Sequence, residues 1–274
     1  MKIFGIMVVK NEADIVGHAL EAACDWCDEI YVLDNGSTDG TWHRVQELSK
    51  TVPKIIPFEQ TDEPFFESIR AKVFKKYRRR AAEGDWWCRL DADEIYVQSP
   101  KTFLARVTRH EVVWAIHLQY YLTKEDVALF ERCPATLDES LPLSARYKWY
   151  KANSTEPRFF RHRNRLHWDD GAAWPKHLGR VFPERILLRH YKFRSPLQIQ
   201  TRLKTRAAVF ERGGIAGHHW RNADWEAAIG VKEELDYDDG SGSYVVDERL
   251  LQRHMDPLWK RAVKNIMHAS GVWP

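Results

Sequence analysis

The chain opens on a near-continuous apolar run, Lys2 to Val9, that breaks abruptly into Lys10-Asn11-Glu12. An unbroken run, rather than an alternating one, predicts a central parallel strand covered on both faces. Ile15, Val16, Ala19, Leu20 and Ala23 then recur at helical spacing within Ala13 to Trp26, and Glu29 to Leu33 is strand-like again, which completes a β-α-β unit. That second strand empties into Asp34-Asn35-Gly36-Ser37-Thr38-Asp39-Gly40-Thr41. Its Asn-Gly and Asp-Gly steps form turns, and its Ser, Thr and Asp side chains suit the cap of a helix starting near Thr41. Lys54 to Phe58 predicts a third strand, Ser68 to Glu83 a basic helix stopped by Gly84, and Trp86 to Leu90 a buried strand. A short helix from Pro100 to about Arg109 leads into a further strand, Val112 to Gln119. The alternation predicts an α/β fold with a mostly parallel sheet and right-handed crossovers.

Beyond Tyr120 the pattern loosens. Leu122 to Lys176 predicts long irregular loops, relieved by a strand at Arg158-Phe159-Phe160-Arg161. Ile186 to Tyr191 reads as another strand and Pro196 to Arg212 as a basic helix capped by Ser195. From Gly213 an extension follows, in which the acidic loop Asp236 to Ser243 reads as a flexible turn between two helices. The last helix, about Asp247 to His268, sets Leu250, Leu251, Met255, Leu258, Trp259, Val263 and Ile266 beside Arg and Lys. It is expected to pack on the core, with a membrane surface as the alternative.

Composition narrows the class. At 274 residues, 44% hydrophobic and 30% charged, the chain is an ordinary globular one, and no apolar run reaches the roughly 20 residues of a membrane span. The N-terminal run turns polar too soon for a secretory signal and has no small-residue cleavage site, so the expected location is cytoplasmic. Cys24 and Cys27 are spaced C-x-x-C, but without a second close pair they read as packing cysteines, as does Cys88. The net charge of +3 hides an asymmetry: Ser144 to Arg206 holds 16 Lys and Arg against 4 Asp and Glu. Such a segment attracts polyanions, whether nucleotide diphosphates, phosphorylated lipids, anionic membranes or nucleic acid.

Candidate chemistry gathers at strand ends. Asn11-Glu12, Asp34 and Asp91-Ala92-Asp93-Glu94 all follow predicted strands, and in open α/β sheets ligands bind beyond those carboxyl ends. An Asp-x-Asp pair supplies hard oxygen ligands for a divalent cation that bridges to a diphosphate. No G-x-G-x-x-G follows the first strand, and no G-x-x-x-x-G-K-[ST] occurs, which argues against a dinucleotide dehydrogenase and a P-loop enzyme.

The stretches V-V-K-N-E-A-D-I-V, V-L-D-N-G-S-T-D-G-T and G-D-W-W-C-R-L-D-A-D-E together resemble the nucleotide-sugar-binding half of glycosyltransferase family 2, which has the GT-A fold. The resemblance implies a donor half in residues 1–120, an acceptor-binding and metal-completing half in 121–212 and a C-terminal helical extension in 213–274. By resemblance Asn11 and Glu12 lie at the rim of the nucleotide pocket and Asp34 contacts base or ribose. Asp91, with Ala92 beside it, approaches ribose and metal, Asp93 ligates the metal, and Arg70 faces the donor. His190 stands where the family often has a histidine completing the metal site, with Lys192 and Arg194, alongside Tyr191 and Arg202, near the diphosphate. The implied cofactor is Mn2+ or Mg2+. The implied partners are a nucleotide-diphosphate sugar, a UDP-sugar first among them, and a saccharide or lipid-linked acceptor, with no nucleic acid. The implied setting is surface polysaccharide assembly, with peripheral contact at the inner face of a membrane.

Inversion at the anomeric carbon needs a general base for the acceptor hydroxyl. Asp170 and Asp169 are nearly the only acids of the basic segment and lie among Trp168 and Trp174, which suit stacking on sugar faces; Glu125 and Asp126 stand behind them. Two other readings use parts of the same pattern: a sugar nucleotidyltransferase, lacking here its glycine-rich phosphate loop, and a nucleic-acid-binding module built on residues 144–206.

Overall fold

The first apolar run becomes β1 (Ile3–Val9), the centre of a parallel sheet, in a computed structural model that describes residues 1–133, 141–211 and 224–274. β1 pairs in parallel with β2 (Glu29–Asp34) on one side and with β4 (Trp86–Asp91) on the other, and β2 pairs in parallel with β3 (Ile55–Gln60). Register places Val9 opposite Asp34 and Val8 opposite Asp91, so the carboxylates of β2 and β4 flank the end of β1.

Both faces of this sheet are covered, which is why its strands read as apolar runs without alternation. On one face Ile3, Met7, Ile30, Val32, Trp86, Cys88 and Leu90 pack under α1 (Val16–Cys24) and α2 (Thr41–Thr51). On the other Phe4, Ile6, Tyr31, Leu33 and Trp87 pack against α3 (Arg70–Tyr77) and Trp168. Gly5 allows the closest approach in this core, since a Cβ there would lie 2.5 Å from Leu90 Cδ1.

The chain forms two compact units, one of Met1–Ile116, Thr155–Leu188 and Gln252–Pro274, the other of His117–Ser154 and Arg189–Leu251. The sheet order is β3-β2-β1-β4-β7-β6-β8-β5, with β5 (Glu94–Tyr96), β6 (Val112–Tyr121), β7 (Trp149–Arg161) and β8 (Ile186–His190); β1 to β5 lie in the first unit, and β6, β7 and β8 each run from one unit into the other. β7 joins β4 antiparallel, with Cys88 opposite Phe159. The fold is mixed α/β, as expected, with a parallel half and helices on both faces. α4 (Pro100–Ala105) also belongs to the first unit. In the second, α5 (Lys124–Arg132) starts on a Thr123–Asp126 capping box, followed by α6 (Leu143–Arg146) and α7 (Pro196–Glu211), and β9 (Asp236–Tyr237) pairs with the start of β7.

Several expectations need correction. The irregular stretch expected over 122–176 contains the thirteen-residue β7. Its inward positions include Thr155, which donates to Ala115 O at 2.7 Å, and the buried Arg158, so polar residues disguise the period. The basic helix expected over 68–83 is α only from Arg70 to Tyr77, with 3-10 turns before and after it. The acidic loop is no free turn: Asp238 is buried and accepts from the hydroxyls of Tyr120 and Tyr244. The last helix, α8 (Leu258–Ala269), is far shorter than 247–268, because Pro257 fills its N-cap and biases Asp256 away from helical angles. Nor does it bury its apolar side, since none of its residues is buried. No helix among the described residues is long and apolar enough to cross a membrane. Arg212, and the extension from Gly213 through residue 223, lie outside the described residues.

One partly buried pair in the first unit gives a pH-dependent prediction. Glu111 accepts from Arg180 N at 2.6 Å and from its Nε at 3.0 Å, packed against Gly179, whose φ of 108° leaves no room for a Cβ. Burial opposes the Glu111 charge, but the Arg180 hydrogen bonds outweigh it and hold the carboxyl below the usual glutamate value. A depressed folded value means stability present above the unfolded pKa and lost as pH falls below it. Denaturant titration should therefore show Glu111→Gln about 2 kcal/mol less stable at neutral pH. That gap should close toward pH 3, and a gap independent of pH would contradict the ion pair.

Candidate functional site

The ends of β1 and β2 are laced together by the polar residues that follow them. Asn11 adopts φ 55°, a left-handed angle that Asn tolerates better than most residues. Its N–H donates to Ser37 Oγ at 2.9 Å and its Oδ1 accepts from Thr38 N at 2.9 Å. Glu12 N donates to Thr41 Oγ1 at 2.8 Å, and Asp39 accepts from Ala13 N and Thr41 N, each at 3.0 Å. Because Ile15 N and Val16 N both turn back onto Glu12 O, α1 begins at Val16 rather than Ala13. Asn11 and Glu12 thus build the rim of the strand ends, partly through their backbone.

Inside this rim sit two acceptors without partners. Asp34 is fully buried; its Oδ1 accepts from Ser37 N, three residues on, at 2.7 Å and from Gln60 Nε2 at 3.2 Å. Asp34 Oδ2 and the Oδ1 of the adjacent Asn35 are buried with no hydrogen-bond partner among the described residues. Leaving such an atom unpaired costs about 1–3 kcal/mol, so a pair of them at a strand end marks a place where donors arrive from outside the chain.

The end of β4 holds a dense ionic network. Asp91 lies between two buried guanidiniums: Arg70 donates to its Oδ1 at 2.5 Å and Arg158 to its Oδ2 at 2.9 Å. Arg70 also meets Glu67 at 2.9 Å, which Arg89 shares at the same distance. Arg158 reaches Glu94 as well, and Glu156 at 2.5 Å. Burial pushes Asp91 toward its neutral form, but Arg70, Arg158 and Arg89 prevail and hold it ionised far below the usual carboxylate range. Glu94 goes the other way. Its own burial, with one oxygen lacking a hydrogen-bond partner, raises it despite Arg158.

Within this network one ligand oxygen each of Asp91, Glu94 and Glu156 come within 4.8 Å of one another. An all-carboxylate oxygen set of this kind fits a hard divalent cation such as Mg2+ or Mn2+. Buried Asp93 lies in the turn between β4 and β5, outside that trio, and its charge acts on Asp91; Ala92 beside it is buried too. Glu94 thus belongs to the candidate cation position.

The remaining expected residues fall elsewhere. Asp169 is pinned by Lys176 at 2.5 Å and His167 at 2.6 Å, and the Lys176 hydrogen bond lowers its pKa. Asp170 is 85% exposed, with Lys75 at 2.6 Å. Trp168 does not present a face for a sugar, being buried in the core and stacked on Trp174. Trp174 in turn carries the Arg89 guanidinium 5.6 Å from its ring, which ties the Asp169–Asp170 loop to the ionic network. His190, Lys192 and Arg194 belong to the second unit. There His190 packs edge-on to His117 at 5.5 Å, Lys192 sits over Phe193, and the buried Arg194 donates to Tyr191 O at 2.9 Å.

Sequence reasoning missed Glu67, Arg89, Glu156 and Arg158. An arginine heading the apolar stretch Phe159-Phe160 was the available signal, because a buried cation requires an acid to meet it. Much of the basic 144–206 segment is spent in the same way. Arg161 donates to His110 O, and Arg163 to the carbonyls of His177, Leu178 and Pro274, so the segment is not the open polyanion patch that its charge suggested.

Comparison with known proteins points to one family over the N-terminal half of the chain. Residues 6–120 match the family model of glycosyl transferase family 2. A TPR repeat-containing protein of Synechococcus elongatus is 34% identical over 88 residues, which make up 32% of this chain and 19% of that protein. The chain therefore spans about a fifth of the length of this curated relative. Among solved structures, the mannosyltransferase PcManGT of Pyrobaculum calidifontis, in complex with GDP-Man and Mn2+, is 16% identical with a TM-score of 0.37, covering 79% of this chain and 66% of that one. S. aureus TarS 1-349 in complex with UDP is 18% identical with a TM-score of 0.31, covering 43% and 36%. Superpositions this loose carry no weight for what the present site binds.

Proposed function

We propose that this chain, residues 6–120 of which match glycosyl transferase family 2, is a glycosyltransferase that moves a sugar from a nucleotide-diphosphate sugar to a hydroxyl of a saccharide or lipid-linked acceptor. The observation that carries the reading is the register that brings Asp34, with its unpaired buried oxygen, and the ionised Asp91 to either side of the end of β1. The unpaired oxygens of Asp34 and Asn35 accept N–H or O–H groups of the base and ribose, a UDP-sugar being the first donor to try. Asn11 and Glu12 hold the loop that frames them. Asp91, Glu94 and Glu156, which share the Arg158 guanidinium, are the residues that would hold a divalent cation, with Asp93 of the adjoining turn as a further ligand in this reading. When bound, such a cation neutralises charge developing on the diphosphate leaving group.

Arg70 and Arg158 keep the Asp91 carboxylate charged and fixed in direction, so no reorganisation is needed when the donor arrives. For the acceptor proton, Asp170 suits better than Asp169: the Lys176 hydrogen bond lowers the Asp169 pKa and makes it a weak base, whereas Asp170 is exposed and has one lysine. Transfer with inversion, during assembly of a surface polysaccharide at the inner face of a membrane, is the setting that this reading favours.

The test is release of nucleoside diphosphate from UDP-, GDP- and dTDP-sugars with manganese present. Asp93→Ala is expected to abolish manganese-dependent release while the protein still melts cooperatively. Full activity in that variant would overturn the placing of Asp93 beside the cation.

A further inference from the structure

We propose that α8 and the cation-lined cavity beside it form a docking surface for an anionic lipid bilayer, with a headgroup phosphate seated in the cavity. The helix is turned inside out. A surface helix ordinarily buries its apolar stripe and exposes its charges. Here Trp259, Val263 and Ile266, spaced i, i+4, i+7, are 69%, 45% and 66% exposed, and Leu258 at the start of the helix is 78% exposed. The charged side is the one that docks: Lys264 donates to Gly179 O at 3.1 Å, and the His268 ring lies 3.2 Å from Arg163. Exposed Val272 adds apolar surface after the helix.

Charge chooses the occupant. Beside the helix is a cavity of about 190 Å³ lined by Arg109, Arg180, Arg261 and Lys264, with Asp256 as the one acid in its lining. Glu111 engages Arg180, and Asp256 engages Lys264 and Lys260. Arg109 and Arg261 have no carboxylate partner among the described residues, so the cavity keeps cationic charge next to an apolar stripe that ends in tryptophan. Exposed Trp and Leu on one helix face, with Lys and Arg on the other, is the composition that lies in a membrane interface, and anionic lipid supplies the charge that the cavity lacks. A neutral protein groove would satisfy the stripe and leave Arg109 and Arg261 unanswered. The inference is independent of the donor chemistry proposed above.

Flotation of the full chain with vesicles tests it. The protein should float with phosphatidylcholine–phosphatidylglycerol vesicles, remain behind with phosphatidylcholine alone, and detach as salt rises. Trp259→Glu with Ile266→Glu, and separately Arg109→Glu with Arg261→Glu, should each cut the bound fraction about tenfold while melting like the wild type, since these side chains are largely solvent-facing. Flotation that persists in millimolar inorganic phosphate supports a lipid headgroup as the phosphate source; release by inorganic phosphate alone would overturn it. Absence of flotation with anionic vesicles, or unchanged flotation of the Trp259/Ile266 variant, would also overturn the proposal. So would a wild-type dimer in sedimentation that this variant dissociates, because the stripe would then be covered by a second copy of the chain.

Discussion

Arg158→Met is expected to lower the unfolding free energy by about 3–5 kcal/mol, the largest stability effect of any single substitution in the ionic network. Arg158 is 1% exposed and meets Asp91, Glu94 and Glu156, so its removal leaves three carboxylates around an apolar side chain. The cost comes from those stranded charges more than from lost packing, since methionine fills much of the same volume. The loss should shrink as pH falls, because carboxylates released from the guanidinium take up protons more readily. Denaturant melts at pH 7 and pH 5 check both points, and a loss below about 1 kcal/mol at pH 7 would show that the network contributes little.

Asp91→Asn is expected to reduce donor turnover by about 10²–10³-fold while leaving a folded protein. The amide still accepts from one guanidinium, so Arg70 or Arg158 keeps a partner at that position and Glu67, Glu94 and Glu156 remain to balance both. The variant removes the negative charge that the network holds ionised, and with it one oxygen ligand suited to a divalent cation. Steady-state kinetics against manganese concentration distinguish the two roles. A raised manganese requirement points to Asp91 as a ligand, and a lowered kcat at saturating manganese to its charge. Turnover equal to the wild type would remove Asp91 from the site.

The parallel half of the sheet was legible because its strands are buried on both faces and need nothing but apolar residues. Asp34 and Asp91 were legible for the complementary reason, since charge at the end of such a strand has few structural uses. Arg158 was not legible. It lies 67 residues from Asp91 in the chain, on a strand whose inward period is broken by Thr155 and by the arginine itself, and its purpose exists only when β7 is laid against β4. Nor does the local sequence show that Glu156 is brought to Glu94. For α8 the period gave the helix and its two faces, but periodicity does not state which face docks. The side that looked made for the core is the one left in solvent.

Calorimetric titration of the wild-type chain with UDP, GDP and dTDP, each with and without manganese, and of Asp34→Ala in parallel, tests the donor site most directly. At least one nucleoside diphosphate should bind the wild type, more tightly with manganese, and Asp34→Ala should lose that binding while melting cooperatively. Binding of none of the three, or equal binding by Asp34→Ala, would contradict a nucleotide-sugar site at the ends of β1, β2 and β4.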